Sequence, residues 1–289
     1  MKILILGASG MLGYSVFSHL VECSDLNVLG TVRNISGKEK FFKNKEDNLI
    51  KNINVYDIST LKNIICDIKP NIIINCIGII KQQNLSKQYI DSIKINALFP
   101  HELASICQLT GSKLIHFSTD CVFSGNIGSY TEKSIPDATD LYGRSKFLGE
   151  VNYDNHLTLR TSIIGHELVS NLSLVDWFLS QKESVNGYTN AIFSGLPTCY
   201  IAKLLIEKII PADNLSGLYH LSVDPIDKFK LLSLISQTYN KKIKICESKD
   251  LTIDRSLISK KFRIKTDFTP PSWEDLIGYM YADYIKRYK

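Results

Sequence analysis

The sequence predicts an α/β fold: a doubly wound, Rossmann-type parallel sheet with a smaller C-terminal α/β lobe that would bind substrate. Short apolar runs alternate with amphipathic helical patterns from the first residue to about residue 165. A glycine-rich turn separates the first apolar run from the first helical pattern. No internal repeat interrupts this alternation, so right-handed crossovers within one parallel sheet are expected.

The composition favours a globular enzyme over a nucleic-acid-binding protein. The chain has 289 residues, of which 44% are hydrophobic and 22% charged, enough for a sizeable core in a large domain plus a smaller lobe. The net charge of +5 is spread along the chain. Lysines between residues 38 and 45 lie close to acidic residues, a pattern typical of a solvated loop, so no nucleic-acid partner is expected.

The cysteines and histidines predict neither disulfides nor a metal site. Seven cysteines are scattered singly with no C-x-x-C, which is typical of reduced thiols in the cytoplasm. Six histidines show no paired metal-ligand spacing. No apolar run is long enough to span a membrane or to form a signal peptide. We therefore expect a cytoplasmic protein without membrane insertion.

The first apolar run, residues 1–6, is predicted to be a strand that leads into a phosphate-binding turn. The sequence GASGMLG follows it, and Val16, Phe17 and Leu20 then recur at helical spacing. Free backbone N–H groups at the start of such a helix can bind a diphosphate, although the glycines could also serve only to make a tight turn. The residues predicted to bind the cofactor here are Gly7, Gly10, Met11, Leu12 and Gly13.

A second strand, Asn27–Val32, is predicted to end beside the adenosine ribose of the cofactor. Arg33 follows it, and no acidic residue stands there to bind a ribose 2′-hydroxyl. An arginine at this place favours a 2′-phosphate, so NADPH is predicted, with NADH left open. The alternative is that Arg33 is only an exposed loop cation.

Three further segments are predicted to complete the cofactor side. A strand at Ile53–Tyr56 is followed by Asp57 and Ile58, which could meet the adenine edge. The buried strand 71–78 ends at Ile77 and Gly78, where a glycine permits close approach of the backbone to the cofactor. A helix is expected over 91–109, with Asn96 on its solvated face unless it reaches the active-site lysine through water.

The chemistry is predicted to lie where the next strand ends and the following helix begins. Strand Lys113–Ser118 leads into Thr119, which could donate a hydrogen bond to a substrate oxygen at the carboxyl edge of the sheet. The helix YGRSK places Tyr142 and Lys146 four residues apart on one face. Of fourteen tyrosines, only Tyr142 has a lysine at that spacing. The pair is therefore interpreted as an acid, Tyr142, and a lysine that adjusts its pKa.

The chain after residue 165 is less regular. A strand is expected over 157–164, helices over 172–181 and 201–210, a strand over 218–222, and a last helix capped by Ser272. The NADP-binding domain is predicted to span 1–165, with segments that return to it within about 187–222. The substrate lobe would comprise 166–186 and 223–289.

The ordered combination of the glycine turn, Ser118-Thr119 and Tyr142-x-x-x-Lys146 resembles the extended short-chain dehydrogenases/reductases. STDCVFSG at 118–125, YGRSKFLGE at 142–150, LRTSIIG at 159–165 and GLPT at 195–198 are similar to the dTDP-4-dehydrorhamnose reductase branch. That resemblance implies reduction by NAD(P)H of the 4-keto group of a nucleotide-linked, 6-deoxy sugar, in the synthesis of surface polysaccharide precursors.

The resemblance also implies roles for individual residues. Thr119, Tyr142 and Lys146 would be catalytic, and Tyr142 and Lys146 would also contact the nicotinamide ribose. The substrate pocket would include Asp120, Cys121, Ile163 and Arg255. Cys121 and Ile163 stand where the family often has aromatic residues, so the sugar, its nucleotide and the product stereochemistry are left open.

Three other functions are compatible with the same scaffold to different degrees. Dehydratases of the superfamily carry a glutamate where this chain has Cys121, so dehydration is disfavoured. An epimerase shares Tyr142 and Lys146 and would recycle tightly held NAD. A non-catalytic, NADP-binding regulatory subunit is the third alternative, and a homodimer is left open.

Overall fold

A seven-stranded parallel sheet forms the centre of the fold. The structure is a computed structural model that describes residues 1–79 and 85–289. The sheet strands are β1 (Lys2–Leu6), β2 (Asn27–Thr31), β3 (Leu49–Ile50), β4 (Ile72–Asn75), β5 (Lys113–Thr119), β6 (Leu157–Thr161) and β11 (Gly217–His220). Their order is β11-β6-β5-β4-β1-β2-β3, with every neighbouring pair parallel. This order confirms the predicted doubly wound sheet, whose direction of winding reverses between β1 and β4.

Helices cover both faces of the sheet because its strands are apolar on both sides. The helices of this half are α1 (Met11–Leu20), α2 (Ile58–Ile68), α3 (Leu85–Ser92), α4 (Phe99–Thr110) and α5 (Leu141–Leu148). Alternate β1 residues enter different cores: Ile3 and Ile5 pack with Phe17 of α1, while Leu4 and Leu6 pack with residues of α2 and α4. Both faces of β1 are therefore buried.

Apart from β11, the described elements after β6 include five helices and three small sheets, and we refer to those after residue 222 as the C-terminal lobe. The helices are α6 (Leu174–Ser180), α7 (Thr198–Leu204), α8 (Lys228–Thr238), α9 (Lys260–Thr266) and α10 (Trp273–Arg287). The strands are β7 (Ile163–Ile164), β8 (Val185–Tyr188), β9 (Ala191–Phe193), β10 (Leu196–Pro197), β12 (Ile226–Asp227), β13 (Ile245–Ser248) and β14 (Ile253–Asp254). They pair as β10-β7, β12-β9-β14 and β13-β8. The predicted division into domains stays a prediction.

Helix α10 returns to the first helix of the chain. Ser272 caps it, as the sequence predicted, by accepting a hydrogen bond from the Asp275 N–H at 3.1 Å. Near its other end, Arg287 donates to both carboxylate oxygens of Glu22, at 2.7 and 2.9 Å, and to the Ser18 carbonyl at 3.2 Å. The C-terminal helix is thereby joined to α1 by the bond to Ser18, and to the turn after α1 by a forked ion pair.

The predicted strand Ile53–Tyr56 is wrong. The third strand is β3 at Leu49–Ile50, which pairs with Gly30 and Thr31 of β2. Asn52 then takes a left-handed backbone (φ 63°), which ends the extended run. Ile53 is still buried, and its N–H donates to the Val32 carbonyl at 3.1 Å. The sequence therefore identified a buried apolar residue but not its backbone conformation.

Other predicted bounds were too simple. The helix expected over 91–109 consists of α3, a π-helical segment at Ile93–Leu98 and α4. The helix expected over 201–210 begins at Thr198 and becomes π-helical at Leu205–Ile209. The strand expected over 157–164 splits into β6 and β7, which belong to different sheets. None of the described helices is long and apolar enough to cross a membrane.

Candidate active site

The glycine turn after β1 is shaped by two close contacts. Gly7 takes a left-handed backbone (φ 83°), and a Cβ there would lie 2.7 Å from Ile77 Cγ1. A Cβ on Gly13 would overlap the carbonyl oxygen of Gly7. These two glycines therefore let α1 pack against the turn, as a tight-turn role requires.

Gly10 has a different environment, one that suits a ligand. It is exposed, and a Cβ there would meet only the Gly7 carbonyl at an ordinary 3.6 Å. Gly10 caps α1 and offers no side-chain acceptor to the amides of the first turn. The start of this ten-residue helix can thus present backbone N–H groups to an anion.

A cleft of about 530 Å³ connects this turn to the carboxyl ends of β4 and β5. Among the predicted site residues it is lined by Gly10, Met11, Leu12, Ile77, Gly78, Thr119, Asp120, Cys121, Tyr142, Lys146 and Ile163. The structure thus gathers most of the predicted cofactor, catalytic and substrate residues around one cavity. The cleft lies beside the point where the sheet reverses direction, the usual place for ligands in such sheets.

Thr119 and Tyr142 meet in this cleft. Thr119 ends β5, and its Oγ1 accepts a hydrogen bond from the Cys121 N–H at 3.1 Å and donates to Asp120 Oδ1 at 3.1 Å. The hydroxyl of Thr119 also lowers the pKa of the Tyr142 phenol, so the two side chains are neighbours. Two of the three predicted catalytic groups are in contact, but the threonine proton is directed to Asp120 and not toward the cleft.

Burial dominates the acidity of Tyr142. Desolvation raises the pKa of its phenol well above 10, and Cys121, Asp120 and Asp140 raise the pKa further while the bond to Thr119 lowers it. The phenol is therefore a neutral proton donor at physiological pH. A lowering of this pKa by Lys146 stays a prediction.

Lys146 lies on the sheet side of the same helix. Its side chain is 5% exposed, and its Nζ donates to the Phe117 carbonyl of β5 at 2.7 Å. Burial lowers the pKa of the ammonium to about 8, against the raising effects of Glu150 and Cys76. Its Nζ also lies 3.9 Å from the position of a Cβ on Gly78, so it faces the backbone predicted to approach the cofactor.

Asn96 is buried, so the expectation that it lies on a solvated face was wrong. It lies in the π-helical segment and is 1% exposed. Its Oδ1 accepts from the Ile79 N–H at 2.9 Å, and its Nδ2 donates to the Ile79 carbonyl at 3.0 Å and to Ser145 Oγ at 3.2 Å. Asn96 therefore fixes the strand end beside Gly78 to the middle of the YGRSK helix.

A buried ion pair supports the site from behind. Arg160 of β6 donates to both carboxylate oxygens of Glu150 at 2.7 Å, and Ser118 Oγ donates to Glu150 Oε1 at 2.7 Å. Both charged side chains are nearly inaccessible to solvent, at 2% and 3% exposed. The pairing satisfies two buried charges and holds the end of β5, from which Thr119 extends.

Besides Gly7 and Gly13, which shape the turn, three predicted cofactor residues lie outside the cleft lining. Arg33 is exposed at the end of β2. Asp57 is exposed and caps α2, accepting from the Thr60 N–H at 3.0 Å, while Ile58 packs against the apolar core below the sheet. The capping role of Asp57 is a structural explanation that the sequence analysis did not consider.

Arg255 reaches the substrate side from the C-terminal lobe. Its Nε donates to the Phe123 carbonyl at 2.8 Å, and its Nη1 lies 3.6 Å from Cys121 Sγ. It therefore stands behind the wall of the cleft and not in it. Lys228, the first residue of α8, lies near Asp120 and Cys121 and was missed by the sequence analysis.

Two other residues near the ligand cleft were also missed. Glu167 lines the cleft, and its Oε2 accepts from the Leu172 and Ser173 N–H groups at 2.6 and 3.0 Å. Lys38 belongs to the segment interpreted as a solvated loop, yet its Nζ donates to the Ser9 carbonyl of the glycine turn at 3.4 Å. The position of Glu167, two residues after LRTSIIG, was the available signal; for Lys38 the sequence holds none. No group of three His, Cys, Asp or Glu residues that could hold a metal ion occurs within 1–79 and 85–289.

Comparisons with known proteins agree with this geometry. The chain is 27% identical over 255 residues to methionine adenosyltransferase 2 subunit beta of Xenopus laevis, covering 83% of this chain and 72% of that protein. It is 28% identical over 238 residues to the dTDP-4-dehydrorhamnose reductase of Aggregatibacter actinomycetemcomitans, covering 78% of this chain and 74% of the relative.

A solved structure supports the fold independently. The crystal structure of dTDP-4-dehydrorhamnose reductase from Bacillus anthracis in complex with NADP is similar with a TM-score of 0.79 and 22% identity, covering 98% of this chain and 99% of the other. The family model described as the RmlD substrate binding domain matches residues 1–284. These matches confirm the resemblance predicted from the motifs, and the chain belongs to the RmlD substrate-binding-domain family.

Proposed function

We propose that this chain is an NADPH-dependent reductase of the 4-keto group of a nucleotide-linked, 6-deoxy sugar, in surface polysaccharide precursor synthesis. One observation carries the proposal: the glycine turn, Thr119, Tyr142 and Lys146 line or reach a single cleft. A proton donor and a helix start suited to diphosphate thus lie at one cavity. The names of the reductase relatives support the same chemistry.

The residues of the cleft fit a dinucleotide. The start of α1 would hold the diphosphate through backbone N–H groups, since Gly10 leaves the first turn without a side-chain cap. Gly78 and Lys146 would face the nicotinamide ribose. When bound, the nicotinamide supplies a hydride to the carbonyl carbon of the substrate.

The protein supplies the proton and the electrostatic environment. The Tyr142 phenol, which stays protonated because of burial, donates its proton to the carbonyl oxygen as negative charge develops there. Lys146, in its charged form, stabilises the phenolate that remains. Solvent then returns the proton to Tyr142, so the reduction is balanced.

Tyr142→Phe tests the catalytic assignment. NADPH absorbance would be followed against a panel of 4-keto-6-deoxy sugar nucleotides, with products identified by mass and NMR. We expect the wild type to reduce at least one member, and the variant to lose turnover while binding NADPH nearly normally. Tyr153→Phe is the matched control, because the Tyr153 hydroxyl bonds His101 away from the cleft. Turnover retained by Tyr142→Phe would refute the assignment.

The cofactor preference is proposed to depend on Arg33 and Lys38. Arg33 lies two residues after the end of β2, and Lys38 donates to the Ser9 carbonyl of the glycine turn, so either cation would pair with a ribose 2′-phosphate bound there. Loss of either side chain should weaken NADPH binding more than NADH binding in fluorescence titrations. Lys43→Ala, a change at an exposed lysine of the same loop, is the control. Equal affinity for both cofactors, unchanged by Arg33→Ala, would remove this proposal.

A non-catalytic subunit is the second candidate, and the similarity to methionine adenosyltransferase 2 subunit beta favours it. The two candidates differ in NADPH consumption. A purified chain that binds NADPH but consumes none with any 4-keto sugar nucleotide would place the subunit role first. An epimerase would instead interconvert sugars without a stoichiometric need for NADPH.

A further inference from the structure

Glu167 carries a carboxylate that the proposed reduction does not use. It follows β7 by three residues and lines the cleft together with Tyr142 and Ile163. Its Oε2 accepts from the Leu172 N–H at 2.6 Å and from the Ser173 N–H at 3.0 Å. One carboxylate oxygen is thus committed to the backbone of the segment that leads into α6.

The other oxygen, Oε1, is available to a ligand. Within residues 1–79 and 85–289 it accepts no hydrogen bond. The side-chain atoms of this part of the chain that are both buried and unpartnered are Ser15 Oγ, His116 Nε2 and His156 Nε2. Glu167 Oε1 is not one of them, so solvent reaches it. Because a carboxylate oxygen can only accept, its partner in a ligand would be a hydrogen-bond donor.

Glu167 is held in place independently of any ligand. Its N–H donates to Asp176 Oδ2 at 2.6 Å, and Asp176 Oδ1 lies 2.5 Å from Nδ1 of the buried His166. The other ring nitrogen of His166 lies 2.8 Å from the hydroxyl of Tyr239, directly after α8. The main chain and one carboxylate oxygen of Glu167 are therefore fixed, which reduces the entropy lost when a ligand binds to the other oxygen.

The strand order places Glu167 at the end of the cleft that is farthest from the glycine turn. The cleft runs along the carboxyl ends of β1, β4, β5 and β6, which follow one another across the sheet. The glycine turn, where the cofactor diphosphate is proposed to bind, follows β1. Glu167 comes after β6 and β7, and Thr119 of β5 lies between the two. This position is on the substrate side, and a carboxylate there would repel a diphosphate but accept from a sugar hydroxyl.

We propose that Glu167 is a substrate-binding residue, whose Oε1 accepts a hydrogen bond from a hydroxyl of the sugar and so selects a neutral sugar over an acidic one. The inference rests on the proposed function, because it requires a sugar nucleotide in the cleft. A uronic acid would bring a like charge to Glu167, and a sugar without the hydroxyl would leave the carboxylate without its donor.

Glu167→Gln separates ligand binding from support of the loop. The glutamine carbonyl oxygen can still accept from the Leu172 and Ser173 N–H groups, while its NH₂ group replaces the available acceptor with a donor. Isothermal titration calorimetry on the full chain saturated with NADP⁺ would compare neutral 6-deoxyhexose nucleotides, linked to dTDP, UDP or GDP, with the nucleoside diphosphates alone. We expect Glu167→Gln to bind the sugar nucleotide about tenfold more weakly or worse, with unchanged affinity for the nucleoside diphosphate.

Glu132→Gln is the matched control. Glu132 Oε1 also accepts from a backbone N–H, that of His220 at 2.9 Å, but Glu132 does not line this cleft. This variant should bind both kinds of ligand as the wild type does. Glu167→Ala should show the same loss of sugar affinity as Glu167→Gln and should also unfold at a lower temperature, because the Leu172 and Ser173 N–H groups lose their acceptor.

Three outcomes would overturn the inference. Wild-type sugar affinity in Glu167→Gln, with a loss only in Glu167→Ala, would mean that the carboxylate supports the loop and nothing else. Weaker NADPH binding in Glu167→Gln with unchanged sugar affinity would place the carboxylate on the cofactor. The ratio of Kd values for a uronic-acid nucleotide and a neutral one should fall in Glu167→Gln, and an unchanged ratio would remove the selection of neutral sugars.

The same measurements distinguish this inference from the proposed function. A wild type that binds sugar nucleotides but reduces no 4-keto sugar nucleotide would refute the reductase function, and the Kd values would still decide the role of Glu167. A wild type that reduces a 4-keto sugar nucleotide, with Glu167→Gln unchanged in sugar affinity, would refute this inference alone. A chain that binds no sugar nucleotide would refute both.

Discussion

Lys146 is kept in the fold at a cost to stability. Burial lowers its pKa from 10.5 to about 8, so the folded protein binds this proton less tightly than the unfolded chain. A shift of this size destabilises the folded state by about 3 kcal/mol below pH 8. This destabilisation is lost as pH rises toward 10.5. The charge is retained in a place where it destabilises the protein, a trade-off expected of the catalytic role proposed for Lys146.

Lys146→Met should therefore raise the free energy of unfolding at pH 7 by about 2 kcal/mol while it abolishes turnover. The gain is smaller than the full electrostatic cost because the bond to the Phe117 carbonyl is lost. Urea denaturation at pH 7 and pH 10 measures it, and the advantage of the variant should shrink at pH 10. Lys113→Met is a control that should keep activity, because Lys113 is a half-buried lysine at the start of β5. A variant less stable than wild type at pH 7 would contradict this account.

The residue types of the site were readable from the sequence, but their hydrogen-bond directions were not. The spacing of Tyr142 and Lys146 and the strand-end position of Thr119 predicted side chains that do reach one cleft. The donation from Thr119 to Asp120 depends on a turn geometry that the sequence does not reveal. Asn96 was misjudged because a polar residue within a helix was assigned to the solvated face, whereas this one is buried and bonded to Ile79 and Ser145.

Helix α1 packs closely against the glycine turn that precedes it. Gly13→Ala would place a methyl group against the carbonyl oxygen of Gly7, which is backbone and cannot move without displacing α1. We expect a loss of about 3 kcal/mol or more in the free energy of unfolding and weaker NADPH binding. Thermal unfolding and a fluorescence titration measure the two effects.

Gly278→Ala is the matched control for this prediction. Gly278 is an exposed glycine within α10, and a Cβ there would meet no atom within 4 Å. The same substitution should therefore stabilise the protein by about 1 kcal/mol through helix propensity. Similar effects of the two changes would show that the close approach of α1 to the turn is not important.

The longer, buried strands of the main sheet were predicted well, and the two-residue strand β3 was not. Strands β1 and β4 contain continuous runs of Ile and Leu buried on both faces, so their composition predicts them. Strands β2 and β5 contain more polar residues, but they are mostly buried and were also predicted. Strand β3 has two residues, and its pairing is decided by where β2 ends. Local sequence carries little information about such a strand, because its hydrogen bonds come entirely from the tertiary structure.

At the scale of the whole molecule, Arg287 of α10 forms an ion pair with Glu22, in the turn that follows α1. The hydrogen bond from Arg287 is the largest cause that lowers the Glu22 pKa from 4.5 to about 2, and Lys286 adds to it. A depressed carboxyl pKa stabilises the fold above pH 4.5, and this contribution disappears as pH falls toward 2. Because the Glu22 side chain is 40% exposed, solvent screening reduces it to about 1 kcal/mol.

Glu22→Gln should thus lower the free energy of unfolding at pH 7 by about 1 kcal/mol, with a smaller difference at pH 3 and in high salt. Denaturant titrations at both pH values measure this. Glu207→Gln removes a carboxylate from an exposed pair with Lys203 at 4.0 Å and should change little. A deficit in Glu22→Gln that persists unchanged at pH 3 would exclude the ion pair as its cause.

The contribution of the lobe to the site could not be predicted from the sequence. Lys228 and Arg255 reach Asp120 from more than a hundred residues away, by way of α8 and the segment after β14. Their surroundings in the sequence resemble those of any lysine or arginine on a polar helix or loop. Only the packing of the lobe on the sheet distinguishes them.

The π-helical segment Ile93–Leu98 has a consequence for comparing this chain with others of different length. A π-turn accommodates one more residue than the α-helix it interrupts, so deleting a single residue there would restore regular winding. The deletion would rotate one flank of the segment against the other by about 100°, and Asn96 could no longer contact both Ile79 and Ser145. In an alignment such a change is a one-residue gap in a helix, although in this molecule it would separate the two halves of the candidate active site.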